Sequence, residues 1–198
     1  MNLNKIIFHL FVNNNLYTHL TYCEKFQIFN ILNRIKKKII AVEIGSYYGA
    51  SSCIISASIS HDSRLYCIDT WANDNMIGEG DDINDPNLQT QDTFYTFLRN
   101  TKKYKDKIIT IKDWSYNAIN KLKEYEEAID FLFIDGDHNY EGVKKDWDLY
   151  SALLKRDSIV VFHDAGWASG VIKVINDEVV NISNKIADLP NMKAFKIL

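Results

Sequence analysis

Acidic residues recur where short apolar runs of the chain end. Each run is rich in β-branched residues, as buried strands are, and each closes on a carboxylate: Glu43, Asp69, Asp113, Asp135 and Asp164. Because the carboxyl ends of parallel strands meet at one edge of a sheet, where open α/β sheets bind ligands, we expect these side chains to converge. Carboxylates there can bind a cofactor, hold a metal ion or transfer protons. The sequence therefore predicts a functional site at this edge.

A glycine-containing turn, EIGSYYG at 43–49, follows the first run. Dinucleotide-binding turns carry a glycine at the position of Tyr47, where the backbone approaches a pyrophosphate. The bulky Tyr47 argues against that ligand, whereas Gly45 and Gly49 permit a smaller, less anionic group to approach. Asp69 follows Gly45 by 24 residues, close to the roughly 20 expected for an acid that binds ribose hydroxyls.

Strands and helices must alternate to bring these residues together. We predict strands over 38–45, 64–69, 107–113, 129–135 and 158–164, with helices between them. The clearest helix covers 139–154, where one apolar stripe is expected to pack on the sheet. The members of that stripe are Tyr140, Val143, Trp147, Tyr150 and Leu154, and the residues expected to face away are Lys144, Lys145, Asp146 and Asp148.

The two ends of the chain complete the predicted fold. Residues 1–36 indicate an N-terminal helical extension, and NKIADLP and MKAFKIL indicate a terminal hairpin around Pro190 and Asn191. We therefore predict one domain over 1–198. Its core, 38–198, is a Rossmann-like, doubly wound, mostly parallel seven-stranded α/β sheet with a C-terminal antiparallel hairpin. The aperiodic stretch 71–90 is interpreted as a solvated lid, because long loops in compact domains are usually functional or disordered.

Composition excludes several classes of protein. The chain has 198 residues, 46% of them apolar, and 23 basic against 26 acidic residues, a formal charge of −3. No electrostatic reason to bind nucleic acid follows from that balance. The cysteines, Cys23, Cys53 and Cys67, are widely spaced among apolar residues, which indicates a reducing compartment. No apolar stretch approaches the roughly 20 residues of a membrane span, so a cytoplasmic location is expected.

At several of these segments the chain resembles the class I S-adenosylmethionine-dependent methyltransferases. EIGSYYGASS resembles their first motif, YCIDTW their second-strand acid and IKDWSYNAI their adenine-binding segment. The segment FIDGDHNYEGVKKDWDLY, followed by VVFHD, is similar to the small methyltransferases related to macrocin and mycinamicin O-methyltransferases. The resemblance covers 38–198 and implies the cofactor S-adenosylmethionine.

The resemblance also implies roles for individual residues. The residues that it places at the methionine end of the cofactor are Glu43, Gly45, Ser46 and Gly49. It places Asp69 on the ribose with Trp71 beside it, and Asp135 in the same cofactor site. Asp113, Trp114 and Ser115 would surround the adenine, although Asp113 and Ser115 are also suited to cap the following helix.

Methyl transfer requires an aligned acceptor whose proton is removed. His138, three residues after Asp135, is the predicted general base, and Asp135 and Asp164 are predicted ligands for Mg²⁺. Related enzymes commonly carry another oxygen ligand after the acid that ends the fifth strand. Ala165 stands there and leaves the third protein ligand unassigned. His163 is expected on the opposite face of its strand, packed rather than catalytic.

Several alternatives stay open at this stage. The leading hypothesis is O-methylation of a small hydroxylated acceptor, with a sugar or glycan precursor as the first choice. A metal-independent methyltransferase of the same fold, a nicotinamide-dependent oxidoreductase and a non-catalytic cofactor-binding domain are the others. Asp137 or Asn139 is interpreted as a helix N-cap, and a homo-oligomer is expected from the relatives.

Overall fold

The computed structural model describes residues 3–72, 92–125 and 127–198, and within them seven strands form one sheet. The strands are β1 (Ile40–Ile44), β2 (Arg64–Asp69), β3 (Ile108–Lys112), β4 (Ile129–Ile134), β5 (Leu154–His163), β6 (Ser183–Asp188) and β7 (Met192–Ile197). Their order across the sheet is β3-β2-β1-β4-β5-β7-β6. The first five run parallel, and β7 is antiparallel to both β5 and β6. The predicted mostly parallel sheet with a terminal hairpin is confirmed.

Helices cover both faces of this sheet. They are α1 (Leu3–Ile7), α2 (Tyr22–Leu32), α3 (Ala50–Ser58), α4 (Thr93–Thr101), α5 (Ser115–Ala118), α6 (Tyr140–Ser151) and α7 (Ser169–Val174), with short 3-10 or π turns after several of them. One apolar core joins the sheet to α5, α6 and α7. The other joins it to α2, α3 and α4. The fold is therefore doubly wound, with the N-terminal helices forming part of the second layer.

The predicted helix over 139–154 is too long. It ends at Ser151, and β5 already begins at Leu154, because Leu154 pairs with Ile129 at the start of β4. Val143, Trp147 and Tyr150 are buried as predicted. Asp146 is buried too, which contradicts its predicted position on the outer face.

The strand order places the ligand edge between β1 and β4. Strands β2 and β3 lie on one side of β1, and β4 lies on its other side. Open α/β sheets bind ligands at such a reversal. The predicted loop 71–90 lies almost entirely outside the described residues. Among the described residues no helix has the length and apolar character that crossing a membrane requires.

Candidate active site

A cavity of about 400 Å³ opens at the carboxyl ends of the parallel strands. Its lining includes most residues predicted for the site: Gly45, Ser46, Asp69, Asp113, Trp114, Ser115, Asp135, His138 and Asp164. Glu43, Gly49 and Trp71 lie outside that lining. Four of the five strand-end acids therefore meet in one cavity, and the roles assigned to all these residues stay predictions.

The turn after β1 presents backbone to the cavity. Gly45 has a φ of +85°, and a Cβ there would lie 2.0 Å from the carbonyl oxygen of Asp135. No side chain fits, so the turn keeps an open face. Tyr47 also has a positive φ of 42°. The tyrosine thus adopts the left-handed conformation that glycine usually supplies, and its ring packs 3.9 Å, centroid to centroid, from that of Tyr48.

Glu43 supports this turn from behind. Its carboxylate is fully buried and accepts hydrogen bonds from Ser46 Oγ, at 2.7 Å, and from Ser52 Oγ. Burial raises the pKa of Glu43 despite these bonds. The residue therefore ties the turn to α3.

Asp69 is held by the same turn. Its Oδ2 accepts from the Tyr47 N–H at 2.8 Å and its Oδ1 from the Trp71 N–H at 2.6 Å. Burial raises the pKa of Asp69. The indole N–H of Trp71 donates to the Tyr47 carbonyl at 2.8 Å, while the ring packs against Phe94 and Phe97. Trp71 thus does not line the cavity but supports two residues that do, Asp69 and Tyr47.

The segment after β3 lines the opposite side of the cavity. Asp113 Oδ1 accepts from the Trp114 N–H at 2.8 Å and from Asn117 Nδ2 at 2.9 Å. Trp114 is 36% exposed and stacks on Tyr116. A half-exposed aromatic pair beside a carboxylate suits a planar, amine-bearing ring such as adenine.

Asp146 is a site residue that the sequence reasoning missed. It lines the cavity from α6, accepts a hydrogen bond from Ser115 Oγ and is only 4% exposed. Burial raises its pKa to about 7, the charge of Asp137 adds to this effect, and the Ser115 bond opposes it. Its spacing from the apolar stripe predicted an outer position. The packing of α5 on α6 and the turn after β4 at Gly136 cover it instead.

The ends of β4 and β5 bring two carboxylates and two histidines together. His138 Nε2 lies 2.9 Å from Asp164 Oδ2, and His163 Nδ1 lies 3.0 Å from Asp135 Oδ1. Burial alone would raise the pKa of Asp164, but the hydrogen bonds from His138 and His163 hold it well below its ordinary range. Burial raises the pKa of Asp135, and the charge of Asp164 adds to that effect while His163 opposes it.

His163 does not point away from the site, and that prediction is wrong. Its Nδ1 is also 3.2 Å from Asp164 Oδ2. The alternation rule fails here because Asp164 has a φ of 56°, so the chain leaves the extended conformation immediately after β5. The turn swings the Asp164 carboxylate back toward His163. The prediction that His163 is packed is confirmed, since its side chain is 1% exposed.

The N-terminal extension reaches the same site. Glu24, in the first turn of α2, has its Oε2 at 3.8 Å from His163 Nε2. Tyr17, Thr18 and His19 line the cavity, and Asn14 Nδ2 donates to the Ala50 carbonyl at 3.1 Å. No local pattern in the sequence signals these contacts, because they join segments far apart in the chain.

A family model for a methyltransferase domain matches residues 42–165, from β1 through the turn after β5. The chain belongs to this family. The predicted resemblance to class I S-adenosylmethionine-dependent methyltransferases is thereby confirmed.

Two curated proteins of uncharacterized function match parts of this methyltransferase domain. The uncharacterized protein y4gI of Sinorhizobium fredii (strain NBRC 101917 / NGR234) is 30% identical over 126 residues, which are 62% of this chain and 13% of that protein. The uncharacterized protein R132 of Acanthamoeba polyphaga mimivirus is 35% identical over 77 residues, 36% of this chain and 35% of that protein. The match thus spans about an eighth of the first protein and about a third of the second.

Solved structures share the fold at low identity. A methyltransferase from Geobacter sulfurreducens superposes with a TM-score of 0.63 at 15% identity, over 90% of this chain and 80% of that one. An O-methyltransferase from Bacillus cereus, solved in complex with S-adenosylhomocysteine (SAH), superposes with a TM-score of 0.65 at 10% identity, over 98% and 96%. The methyltransferase architecture therefore extends beyond the segment that the family model matches.

Proposed function

We propose that the protein is an S-adenosylmethionine-dependent O-methyltransferase that acts on a hydroxyl group of a small acceptor, such as a sugar or a glycan precursor. His138 serves as the general base. The observation that carries the proposal is the hydrogen bond of 2.9 Å between His138 Nε2 and Asp164 Oδ2 at a cavity with an open glycine turn.

The cavity fits the cofactor. The open face of Gly45, where a Cβ would meet the Asp135 carbonyl, leaves room for the methionine end, and Ser46 lies beside it in the lining. Asp69 would bind the ribose hydroxyls, and Trp114 and Ser115 would flank the adenine. When bound, S-adenosylmethionine supplies a methyl group on a positively charged sulfonium.

His138 would accept the proton of the acceptor hydroxyl. Asp164 orients the imidazole and stabilises the imidazolium that forms, as carboxylate partners of catalytic histidines do. Trp167 Nε1 donates to Asp164 Oδ1 at 2.8 Å, which fixes the carboxylate. Because the pKa of Asp164 lies well below its ordinary range, this partner stays ionised while His138 takes up a proton.

The acceptor would enter beside the N-terminal segment. Tyr17 is 43% exposed and packs edge-on against Tyr47 and Tyr48, and Thr18 and His19 add polar groups to the lining. Aromatic rings with polar neighbours suit the apolar faces and hydroxyls of a sugar. The predicted cytoplasmic location and homo-oligomer stay predictions.

The predicted metal ligands also lie together. Asp135 and Asp164 belong to a group of three side chains whose ligand atoms all lie within 4.8 Å of one another, and the third is His163. A divalent cation there would lower the pKa of an acceptor hydroxyl. Removing metal with EDTA is expected to lower turnover and Mg²⁺ or Mn²⁺ to restore it, and unchanged turnover in EDTA would favour the metal-independent alternative.

Calorimetry separates the cofactor hypotheses. SAH is expected to bind and NAD is not, because Tyr47 occupies the turn that a pyrophosphate would approach. Binding of NAD without binding of SAH would refute the proposal and favour an oxidoreductase.

The role of His138 has a matched test. His138→Gln is expected to keep SAH affinity and to lower turnover by about 10²- to 10⁴-fold, the contribution of a general base. His61→Gln, at an exposed histidine remote from the cavity, should behave like the wild type. Near-normal turnover in His138→Gln would remove His138 from catalysis.

A further inference from the structure

We propose that His163 is a nitrogen ligand of a divalent metal held together with Asp135 and Asp164, and that Glu24 orients it. The site would then prefer a first-row transition metal such as Mn²⁺ over Mg²⁺. The inference rests on the proposed function, since it concerns the metal of the same site. It supplies the third protein ligand that Ala165 does not provide.

The spacing of the ligand atoms fits a shared cation. His163 Nδ1 is 3.0 Å from Asp135 Oδ1 and 3.2 Å from Asp164 Oδ2. Adjacent ligands of an octahedral cation, each at about 2.1 Å from it, lie about 3.0 Å apart. A cation bound among them takes the place of the Nδ1 proton, because a ligating imidazole is neutral.

Each ligand is oriented from outside the cluster. A metal-bound histidine usually donates its other ring N–H to a carboxylate. Glu24 Oε2 lies 3.8 Å from His163 Nε2, an ion-pair distance longer than a hydrogen bond, and Asn191 Nδ2 lies 3.4 Å from the same nitrogen. Glu24 is itself fixed, because its Oε2 accepts from Thr21 N at 2.7 Å and from Thr21 Oγ1 at 2.8 Å in a capping box. The helix cap of α2 thus holds a negative charge beside Nε2, and that charge would favour the tautomer protonated at Nε2 once Nδ1 binds the metal.

The Asp164 carboxylate shows the same arrangement. Its Oδ1 accepts from Trp167 Nε1 at 2.8 Å and from Asn191 Nδ2 at 2.9 Å. Its other oxygen, Oδ2, lies 3.2 Å from His163 Nδ1 and 2.9 Å from His138 Nε2. Supporting donors therefore hold Oδ1, and Oδ2 would use one lone pair for His138 and the other for the metal.

The chemistry of the donor set decides between metals. Mg²⁺ prefers oxygen ligands throughout. Imidazole binds Mn²⁺ less tightly than it binds later first-row metals, but more tightly than it binds Mg²⁺. Two carboxylates with one imidazole form a mixed set. We therefore expect Mn²⁺ to bind the chelator-treated protein at least tenfold more tightly than Mg²⁺ does.

The test uses the metals alone, without cofactor or acceptor. The full chain is titrated with MnCl₂ and MgCl₂ by calorimetry, and the electron spin echo of bound Mn²⁺ is examined for ¹⁴N coupling. The wild type and the control His61→Ala should show nitrogen coupling, and His163→Ala should lose both that coupling and the preference for Mn²⁺. Glu24→Gln, which keeps the side-chain shape, should weaken Mn²⁺ binding by about 10- to 100-fold.

SAH binding on the same samples separates the two proposals. Retained SAH affinity shows that a variant is folded. If His163→Ala does not fold, Glu24→Gln tests the metal assignment in its place. Failure of the wild type to bind SAH would refute the methyltransferase proposal without bearing on the metal. Absence of Mn²⁺ binding, or bound Mn²⁺ without nitrogen coupling, would overturn the metal assignment and leave an Asp–His–Asp hydrogen-bonded cluster.

Discussion

Buried Asp146 is expected to make the stability of the fold depend on pH. Its pKa is about 7 in the folded chain, against 3.8 for the unperturbed carboxyl. A carboxyl with a raised folded pKa binds its proton more tightly in the folded state, so stability is full below about pH 4 and falls as the pH rises toward 7. A difference of about three pKa units corresponds to at most about 4 kcal/mol.

The substitution Asp146→Asn isolates this contribution. The amide keeps an oxygen that can accept the Ser115 hydroxyl and cannot ionise. Urea unfolding of both proteins between pH 4 and 8, without cofactor, gives the difference in free energy of unfolding at each pH. We expect that difference to shift in favour of the variant as the pH rises to about 7 and to stay constant above it. The same subtraction cancels the contributions of the other buried acids.

The exposed Asp106, in the turn that precedes β3, provides the control. Asp106→Asn removes a carboxyl group from the surface, outside the cavity lining, and is measured as the reference variant in the same assay. If the difference in free energy of unfolding between the wild type and Asp146→Asn stays constant within about 0.5 kcal/mol across this range, the prediction is wrong. A constant difference would mean that Asp146 has the same pKa in the folded and the unfolded chain.

Two further substitutions test the turn after β1. Gly45→Ala would place a Cβ 2.0 Å from the Asp135 carbonyl oxygen at a φ of +85°, so we expect a loss of about 2 kcal/mol or more in urea unfolding and no calorimetric SAH binding; wild-type affinity would contradict the close approach. Trp71→Phe removes the indole N–H that satisfies the Tyr47 carbonyl, and should cost about 1–3 kcal/mol of stability, whereas unchanged stability would show that water replaces it.

The convergence of the strand-end acids could be predicted because it depends on topology alone. Parallel strands that end together must bring Asp69, Asp135 and Asp164 to one edge, whatever the details of packing. Residues whose position depends on a single backbone angle could not be predicted. The Asp164 carboxylate meets His163 because Asp164 takes a left-handed conformation. Aspartate tolerates that conformation, and no pattern in the sequence signals it.

Contacts between distant segments were equally inaccessible. Thr21 and Glu24 are spaced as a capping box, so the start of α2 has a local signature. That signature says nothing about His163, which lies 139 residues further along the chain. The prediction for Asp146 was wrong for a related reason. Helical periodicity assigns Asp146 to the outer face of α6, and the short helix α5 covers that face. Patterns within one element describe that element, and its neighbours decide what is buried.

The segment IDGDHNYEG shows how neighbouring residues position the proposed general base, His138. Asn139 caps α6 by accepting from Gly142 N at 2.9 Å, as predicted, and Asp137 Oδ1 accepts from the Asn139 N–H at 3.0 Å. From the other side, a Cβ on Gly170 would lie 2.4 Å from the His138 carbonyl oxygen, so α7 packs directly on this backbone. His138 is therefore fixed between two helices, and only its ring is left to adjust. The proposed base therefore meets Asp164 because of how the fold holds its backbone, so substitutions at Gly170 should displace His138 as effectively as changes in the carboxylate that it contacts.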